Sequence, residues 1–542
     1  MNRRNFLRTS GWAAIGAAAA SSLSRALPVW PAPRVNSQRA RLTVVGNEPT
    51  GKISRNVYGN FAEHLGSCVY DGMWVGTQSA IPNDDGLRKD TIAALKKIRS
   101  PMIRWPGGCF ADTYHWRDGI GPREKRPKTW NIWWGRDESN AFGTDEFLKY
   151  CALCDADPYI CLNVGSGSPE EAFDWMEYCI GTQPTTLTSL RAANGHPPPY
   201  RVRYWSVGNE NWGCGGNFDA EDYARHYARF VTNLSQVPHD GPAEFVACGD
   251  TRGDWNQKLF ETLLNRPGSG GRLRNVQHLS IHHYLSRGPG VEFSDEDYYG
   301  LLASVHVLES QIRATIGIID YYPQEADKPI GIALDEWGVW HPGDPSHGPK
   351  ALWQPNTLRD ALLAAVVLNS LNQYGERVSM ANIAQTFNVL QCLAFTEGPR
   401  MVLTPTYYVF DLFQSHMDAT GLRTIVDSPT FTSKLRAGDA TRPYLSASAS
   451  KNESDGTVCL TLVNQNLSEP LEVEIHLTDF EHQGGESTSV QQLTAPDVRD
   501  QNTFEKPDVV RPQAGKPITL SGNRFVQLVP AHSVQALVLK LS

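Results

Sequence analysis

Through the first 400 residues, short apolar or β-branched runs bounded by Gly, Pro or Asn alternate with segments in which apolar residues recur at helical spacing. Eight such runs stand out: Val57–Phe61, Met102–Trp105, Pro158–Val164, Val202–Gly208, Phe245–Gly249, His278–Tyr284, Ile330–Glu336 and Arg377–Ala384. Between them the spacing predicts helices over Leu87–Arg99, Asp145–Asp155, Pro169–Ile180, Ala220–Leu234 and Leu358–Tyr374, several opened by Ser, Thr or Asp caps. Strand then helix, eight times over, predicts an α/β fold of the (β/α)8 TIM-barrel class across residues 51–398.

After about Gly398 the period changes to two. Leu445–Ser450, Thr457–Asn464, Leu471–Leu477, Ser489–Leu493, Phe525–Leu528 and Val534–Leu541 read as strands joined by Gly, Asp, Asn and Pro turns, which predicts a C-terminal antiparallel β-sandwich over residues 399–542. Arg41–Val45, in the linker segment 27–50, is one more short strand, placed to cross over and join that sandwich.

The chain opens differently. Arg3-Arg4 precede an uncharged, small-residue stretch from Thr9 to Leu23 and the site Ser24-Arg25-Ala26. This resembles a twin-arginine export signal over residues 1–26, so the expectation is an exported protein, periplasmic or extracellular. A membrane span needs about 20 strongly apolar residues, and no stretch reaches that, so no membrane partner is expected. The ten cysteines lack the density of a disulfide scaffold and are expected as mostly buried free thiols, the Cys151/Cys154 pair included.

Fifty basic against 58 acidic residues give a net charge of −8, which removes any general attraction for nucleic acid. Fifteen Trp and 19 Tyr offer planar apolar faces with a polar handle, a chemistry suited to sugars. Several motifs carry no function. The glycines at 46 and 51 with Lys52 mimic a phosphate loop, but Ile53 lacks the metal-binding hydroxyl. His282-His283 has no third ligand at metal spacing, and Gly165 to Ser168 lack the spacing of a hydrolase serine elbow. Neither metal nor cofactor is implied.

A barrel displays functional groups where its strands end. The fourth run ends in Asn209-Glu210 and the seventh in Asp335-Glu336. Two carboxylates facing one another about 5 to 5.5 Å apart across that mouth would suit retaining glycoside hydrolysis, one attacking the anomeric carbon while the other protonates the departing oxygen. That chemistry demands opposite protonation of the pair.

Six ordered segments carry a further likeness: Tyr58 to Gly66, Arg104 to Phe110 running on through Tyr114 to Pro122, Trp205 to Glu210, Ser280 to Tyr284, Leu334 to Trp337 and Ala381 to Gln385. By these the chain resembles the α-L-arabinofuranosidases of glycoside hydrolase family 51, from about residue 40 into the sandwich. The resemblance implies a retaining, exo-acting enzyme that removes terminal arabinofuranosyl groups from arabinan, arabinoxylan or derived oligosaccharides, and by family analogy a homo-oligomer, a hexamer. It implies Glu210 as acid/base, Glu336 as nucleophile and Tyr284 as hydrogen-bond donor to the nucleophile. Glu63, Asn209 and Gln385 match sugar-binding positions. Cys109 stands where many members carry an Asn that contacts sugar, and it is expected to line the subsite as a weaker partner. Trp212 is either a stacking platform or a loop anchor, and His282 is expected to hydrogen-bond at the barrel mouth. Two other readings remain: another retaining glycosidase on the same barrel, such as a β-glucanase or other furanosidase, or a non-catalytic carbohydrate-binding protein.

Overall fold

The computed structural model describes residues 38–541 apart from 326–328, 349, 437, 482 and 483; the signal-like segment 1–26 lies outside the described residues. Eight parallel strands close into a barrel: β1 Gly59–Phe61, β2 Met102–Trp105, β3 Asp157–Leu162, β4 Tyr204–Val207, β5 Glu244–Cys248, β6 His278–Leu285, β7 Gly331–Val339 and β8 Val378–Ala384. Each strand pairs with its chain neighbours, β8 returning to β1, so ring order is chain order. Met102, Tyr159, Tyr204, Val246, Ala333 and Met380, from six strands, pack together in one buried cluster. With period two, Arg104 points to the same side as Met102 and reaches the barrel mouth fully buried.

The helices start where caps say they should. Ser168 Oγ accepts the Glu171 N–H ahead of Pro169–Ile180, and Asp219 accepts the Asp222 N–H ahead of Ala220–Leu234. Leu358–Asn372 is buried almost all round, the mark of a helix with a partner on each side. One side faces the barrel; on the other, Asn369 Nδ2 donates to Ser446 Oγ (3.2 Å) and Asn372 Nδ2 to Ser448 Oγ (3.0 Å), both on a C-terminal strand.

The C-terminal region is a ten-stranded, mainly antiparallel sheet that folds back on itself, since Gly484–Leu493 pairs with the last strand, Ser533–Leu541. Leu42, Val44, Leu460, Val473, Ile475 and Leu537 meet in its core. The N-terminal strand Gln38–Lys52 inserts between Leu471–Thr478, which it joins in parallel, and Thr420–Asp427, which it joins antiparallel.

Three details differ from the pattern. Val57 and Tyr58 fall in a 3-10 turn, Arg55–Tyr58, that precedes β1. The helix Pro405–Phe413 lies beyond Gly398, where strands alone were expected; Thr404 Oγ1 caps it by accepting the Tyr407 N–H. Thr420–Asp427 is a strand that carries no apolar alternation, since only Gly421 and Leu422 are buried in it. Among the described residues no helix is long and apolar enough to cross a membrane.

Candidate active site

The carboxyl ends of β4 and β7 bring Glu210 and Glu336 together. Along β7 the pairing with β6 runs Ile281 to Leu334 and then His282 to Glu336, so Asp335 is an extra residue, a bulge. The bulge lets two adjacent carboxylates both turn inward. Asp335 accepts from Tyr159 Oη (2.9 Å) inside the barrel, while Glu336 Oε1 accepts from Arg104 Nη1 (2.8 Å) and Oε2 from Tyr284 Oη (2.8 Å).

Burial alone would raise the Glu336 carboxyl, but the charges of His282 and Arg104, with the hydrogen bonds from Arg104 and Tyr284, outweigh it and hold it below the usual carboxylate range. Glu210 sits in a wetter place, its side chain 22 % exposed against 7 % for Glu336. His282 Nδ1 lies 3.0 Å from Glu210 Oε1 and 3.7 Å from Glu336 Oε2. Burial would lower this imidazole; the two carboxylates reverse that and raise it. One oxygen from each carboxylate and the His282 nitrogen all lie within 4.8 Å of one another. That closeness lies on the side of a retaining pair, about 5 to 5.5 Å apart, rather than of an inverting pair, about 6.5 to 9.5 Å apart.

The sugar-binding candidates surround this pair. Asn209 Oδ1 accepts from Arg104 Nη2 (2.6 Å). Glu63 is buried; its Oε1 accepts from the Phe110 N–H and the Trp134 indole (3.0 Å each), and its Oε2 from Gln385 Nε2 (3.4 Å). Gly108 explains the Gly-Gly step: a Cβ there would stand 2.9 Å from Glu336 Oε1. Trp212 is held as a loop anchor, its indole donating to the Gly249 carbonyl (3.2 Å) and its face covered by Arg252 at 4.0 Å.

Cys109 requires a correction. It is not a free thiol but is bonded to Cys214, 105 residues on, with the α-carbons 5.4 Å apart. A half-cystine has no S–H to donate, so the weak sugar partner expected there is lost; the other eight cysteines are free and buried, as expected. Four residues with no role in the sequence reading also belong to the site: Arg104, Asp112, Trp134 and Trp340. Asp112 accepts the Asn209 N–H, and Trp340 packs edge-on against Tyr284.

Burial, then the Glu336 charge, pushes Glu63 from an ordinary 4.5 up to about 7. A carboxyl raised on folding favours the native state most when it is protonated in both states, and that contribution is lost as pH rises from about 4.5 through about 7. Glu63→Gln should therefore leave Tm unchanged at pH 4 and raise it on the order of 2–4 °C at pH 8. Its amide can donate to Gln385 Oε1, which otherwise has no partner among the described residues. Scanning calorimetry at the two pH values checks this; an equal shift at both refutes it.

Comparison with known proteins agrees with this geometry. A family profile described as the alpha-L-arabinofuranosidase 1 domain matches residues 94–296, and one described as the alpha-L-arabinofuranosidase C-terminal domain matches residues 335–533. The chain is 40 % identical to the intracellular exo-alpha-L-arabinofuranosidase of Bacteroides ovatus, over 92 % of this chain and 96 % of that one. It superposes on the GH51 arabinofuranosidase from Xanthomonas axonopodis pv. citri with a TM-score of 0.86 at 38 % identity, covering 93 % of this chain and all of that one. The arabinose complex of the alpha-L-arabinofuranosidase from Thermotoga maritima superposes with a TM-score of 0.81 at 32 % identity, with the same coverage. The Bacteroides relative, named intracellular, overturns the expectation of export and of a periplasmic or extracellular place. An arginine pair, a short alanine-rich run and a small-x-Ala site together make a weak pattern.

Proposed function

Since the chain belongs to the α-L-arabinofuranosidases of glycoside hydrolase family 51, we propose that Glu336 is its nucleophile and Glu210 its acid/base. The protein is a glycoside hydrolase, an exo-acting α-L-arabinofuranosidase, and its substrate is a carbohydrate. Terminal arabinofuranosyl groups on arabinan, arabinoxylan or their oligosaccharides are the substrates we assign. The rival readings, another glycosidase on this barrel or a non-catalytic binder, give way to these relatives.

In the first step Glu336, ionised and aimed by Arg104 and Tyr284, attacks the anomeric carbon while Glu210 donates its proton to the departing oxygen. In the second, Glu210 takes a proton from water, and that water releases the sugar from Glu336. Asn209, Glu63 and Gln385 are the proposed hydroxyl partners. Trp134 and Trp340 are further apolar faces beside them, Trp340 being 37 % exposed and so open to the aglycone side. His282 sits between the carboxylates and steers the proton of Glu210.

The observation that carries this reading is the carboxylate spacing within 4.8 Å. Two displacements at one carbon retain configuration, so an aryl α-L-arabinofuranoside cleaved in the presence of methanol should give methyl α-L-arabinofuranoside as its first methanolysis product by proton NMR. The β-anomer as first product would mean a single displacement and would sink the assignment.

A further inference from the structure

The segment 109–112, just after β2, crosses the loop that carries Glu210 and is tied to it twice. One tie is the Cys109–Cys214 disulfide. The other is Asp112, 1 % exposed, whose Oδ2 accepts the Asn209 N–H (2.9 Å) while its Oδ1 accepts the Val164 and Gly165 N–H groups (2.8 and 2.9 Å) at the end of β3. One carboxylate thus ties the ends of β3 and β4 to the loop after β2. The fit is close. A Cβ on Gly215 would stand 2.6 Å from Asp112 Oδ2 and 2.0 Å from the Asn209 carbonyl oxygen.

Between the two ties lies Glu210, with φ +42°, a left-handed conformation that a glutamate does not favour. Its carbonyl oxygen accepts the N–H groups of Gly213 (2.6 Å) and Gly215 (3.2 Å), so the turn that holds Cys214 closes on the backbone of Glu210 itself. Cys214 Sγ lies 3.6 Å from Glu210 Oε2. The backbone of this turn is therefore held on one side at Asn209 and on the other at Cys214.

We propose that Asp112 and the Cys109–Cys214 disulfide are positioning residues for the acid/base, a two-point clamp that fixes the backbone of Glu210 so that its carboxyl meets the leaving-group oxygen. This rests on Glu210 being the acid/base. A general acid works only within hydrogen-bond reach of the oxygen it protonates, and a displacement of about 1 Å costs roughly a hundredfold. Glu336 is held instead by Arg104 and Tyr284, side chains on strands β2 and β6. Loosening the clamp thus weakens proton donation, while Glu336 keeps both of its donors; a loss through Asn209, which accepts from Arg104 (2.6 Å), falls equally on every leaving group.

The test is the dependence of kcat/KM on leaving-group pKa across a series of aryl α-L-arabinofuranosides. It is measured for Asp112→Asn and for the double variant Cys109→Ser/Cys214→Ser. In Asp112→Asn, one oxygen can still face Val164 and Gly165, but the amide then presents a donor to the Asn209 N–H, so that tie is lost. Wild type treated with dithiothreitol needs no mutation: exchange places two electrons and two protons on Cys109 and Cys214 as thiols, the reagent closing to its cyclic disulfide. Its opening is counted as two new titratable thiols.

For all three, kcat/KM should fall at least about tenfold further on the poorest leaving group than on the best. A uniform fall across the series, or none in species whose clamp is demonstrably open, overturns the clamp. Glu210→Ala in the same series separates the two claims. If it shows no leaving-group dependence, the acid/base assignment fails; if it does and the clamp variants do not, only the clamp fails.

Discussion

Glu336→Ala should lower kcat on aryl α-L-arabinofuranosides on the order of 10⁴-fold or more, because no other group can form the covalent intermediate. Added azide should then restore turnover and yield an arabinofuranosyl azide of inverted configuration. The physical reason lies in what the truncation exposes. Arg104 Nη1 and the Tyr284 hydroxyl, which aim the native carboxylate at 2.8 Å each, are left facing a hole the size of a small anion. The guanidinium favours that anion, and the anion attacks from the nucleophile's side in one displacement. Arg104 keeps Asn209 Oδ1 at 2.6 Å and Asp335 at 4.0 Å, so part of its charge compensation survives. Truncating one partner of a buried pair still destabilises, by about 3–5 kcal/mol, so Tm is measured beside the rate. Glu336→Gln, which keeps the shape and one acceptor oxygen for Arg104 while its NH2 donates to a turned Tyr284 hydroxyl, should be nearly as inactive. Unchanged turnover in either variant, or an azide product of retained configuration, would falsify the nucleophile assignment.

The barrel was legible because each of its strands is a short run with buried residues along its length, punctuated by Gly, Pro or Asn, and because sequential parallel strands joined by helices pair in chain order. The placement of Glu210 and Glu336 toward the carboxyl ends of β4 and β7 was legible for the same reason. What stayed hidden was hidden by physics that has no local signature. A period-two reading of β7 turns only one of Asp335 and Glu336 inward; the bulge that turns both depends on pairing with His282 of β6. Ten cysteines offer many pairings, and nothing in a separation of 105 residues singles out Cys109 with Cys214. Asp112 sits between two stretches that carry the likeness, 104–110 and 114–122, and its acceptors' partners, Val164, Gly165 and Asn209, come from two later strand ends. Trp134 and Trp340 lie off any repeating pattern, the first between two short strands and the second just past the end of β7.

Glu210→Ala should separate the two halves of the reaction. On substrates with good leaving groups the first step needs little acid help, so kcat/KM should change by less than about tenfold, while on natural oligosaccharides it should fall roughly 10²- to 10⁴-fold. The second step then lacks its base, and the sugar accumulates on Glu336, which keeps Arg104 and Tyr284 and so forms the intermediate normally. A burst of phenol equal to the enzyme concentration, followed by slow turnover, is the expected record. Azide accelerates that slow phase because an anion needs no base, and it enters the space left by Glu210, on the face opposite Glu336. Its product is therefore the azide of retained configuration, the mirror of the outcome in Glu336→Ala. The pair of product configurations tests the geometry more sharply than either rate, since it asks from which side of the sugar each carboxylate acts. If His282, 3.0 Å from Glu210 Oε1, took over as the proton donor, the natural substrates would lose little, and the assignment of Glu210 would fall with that result.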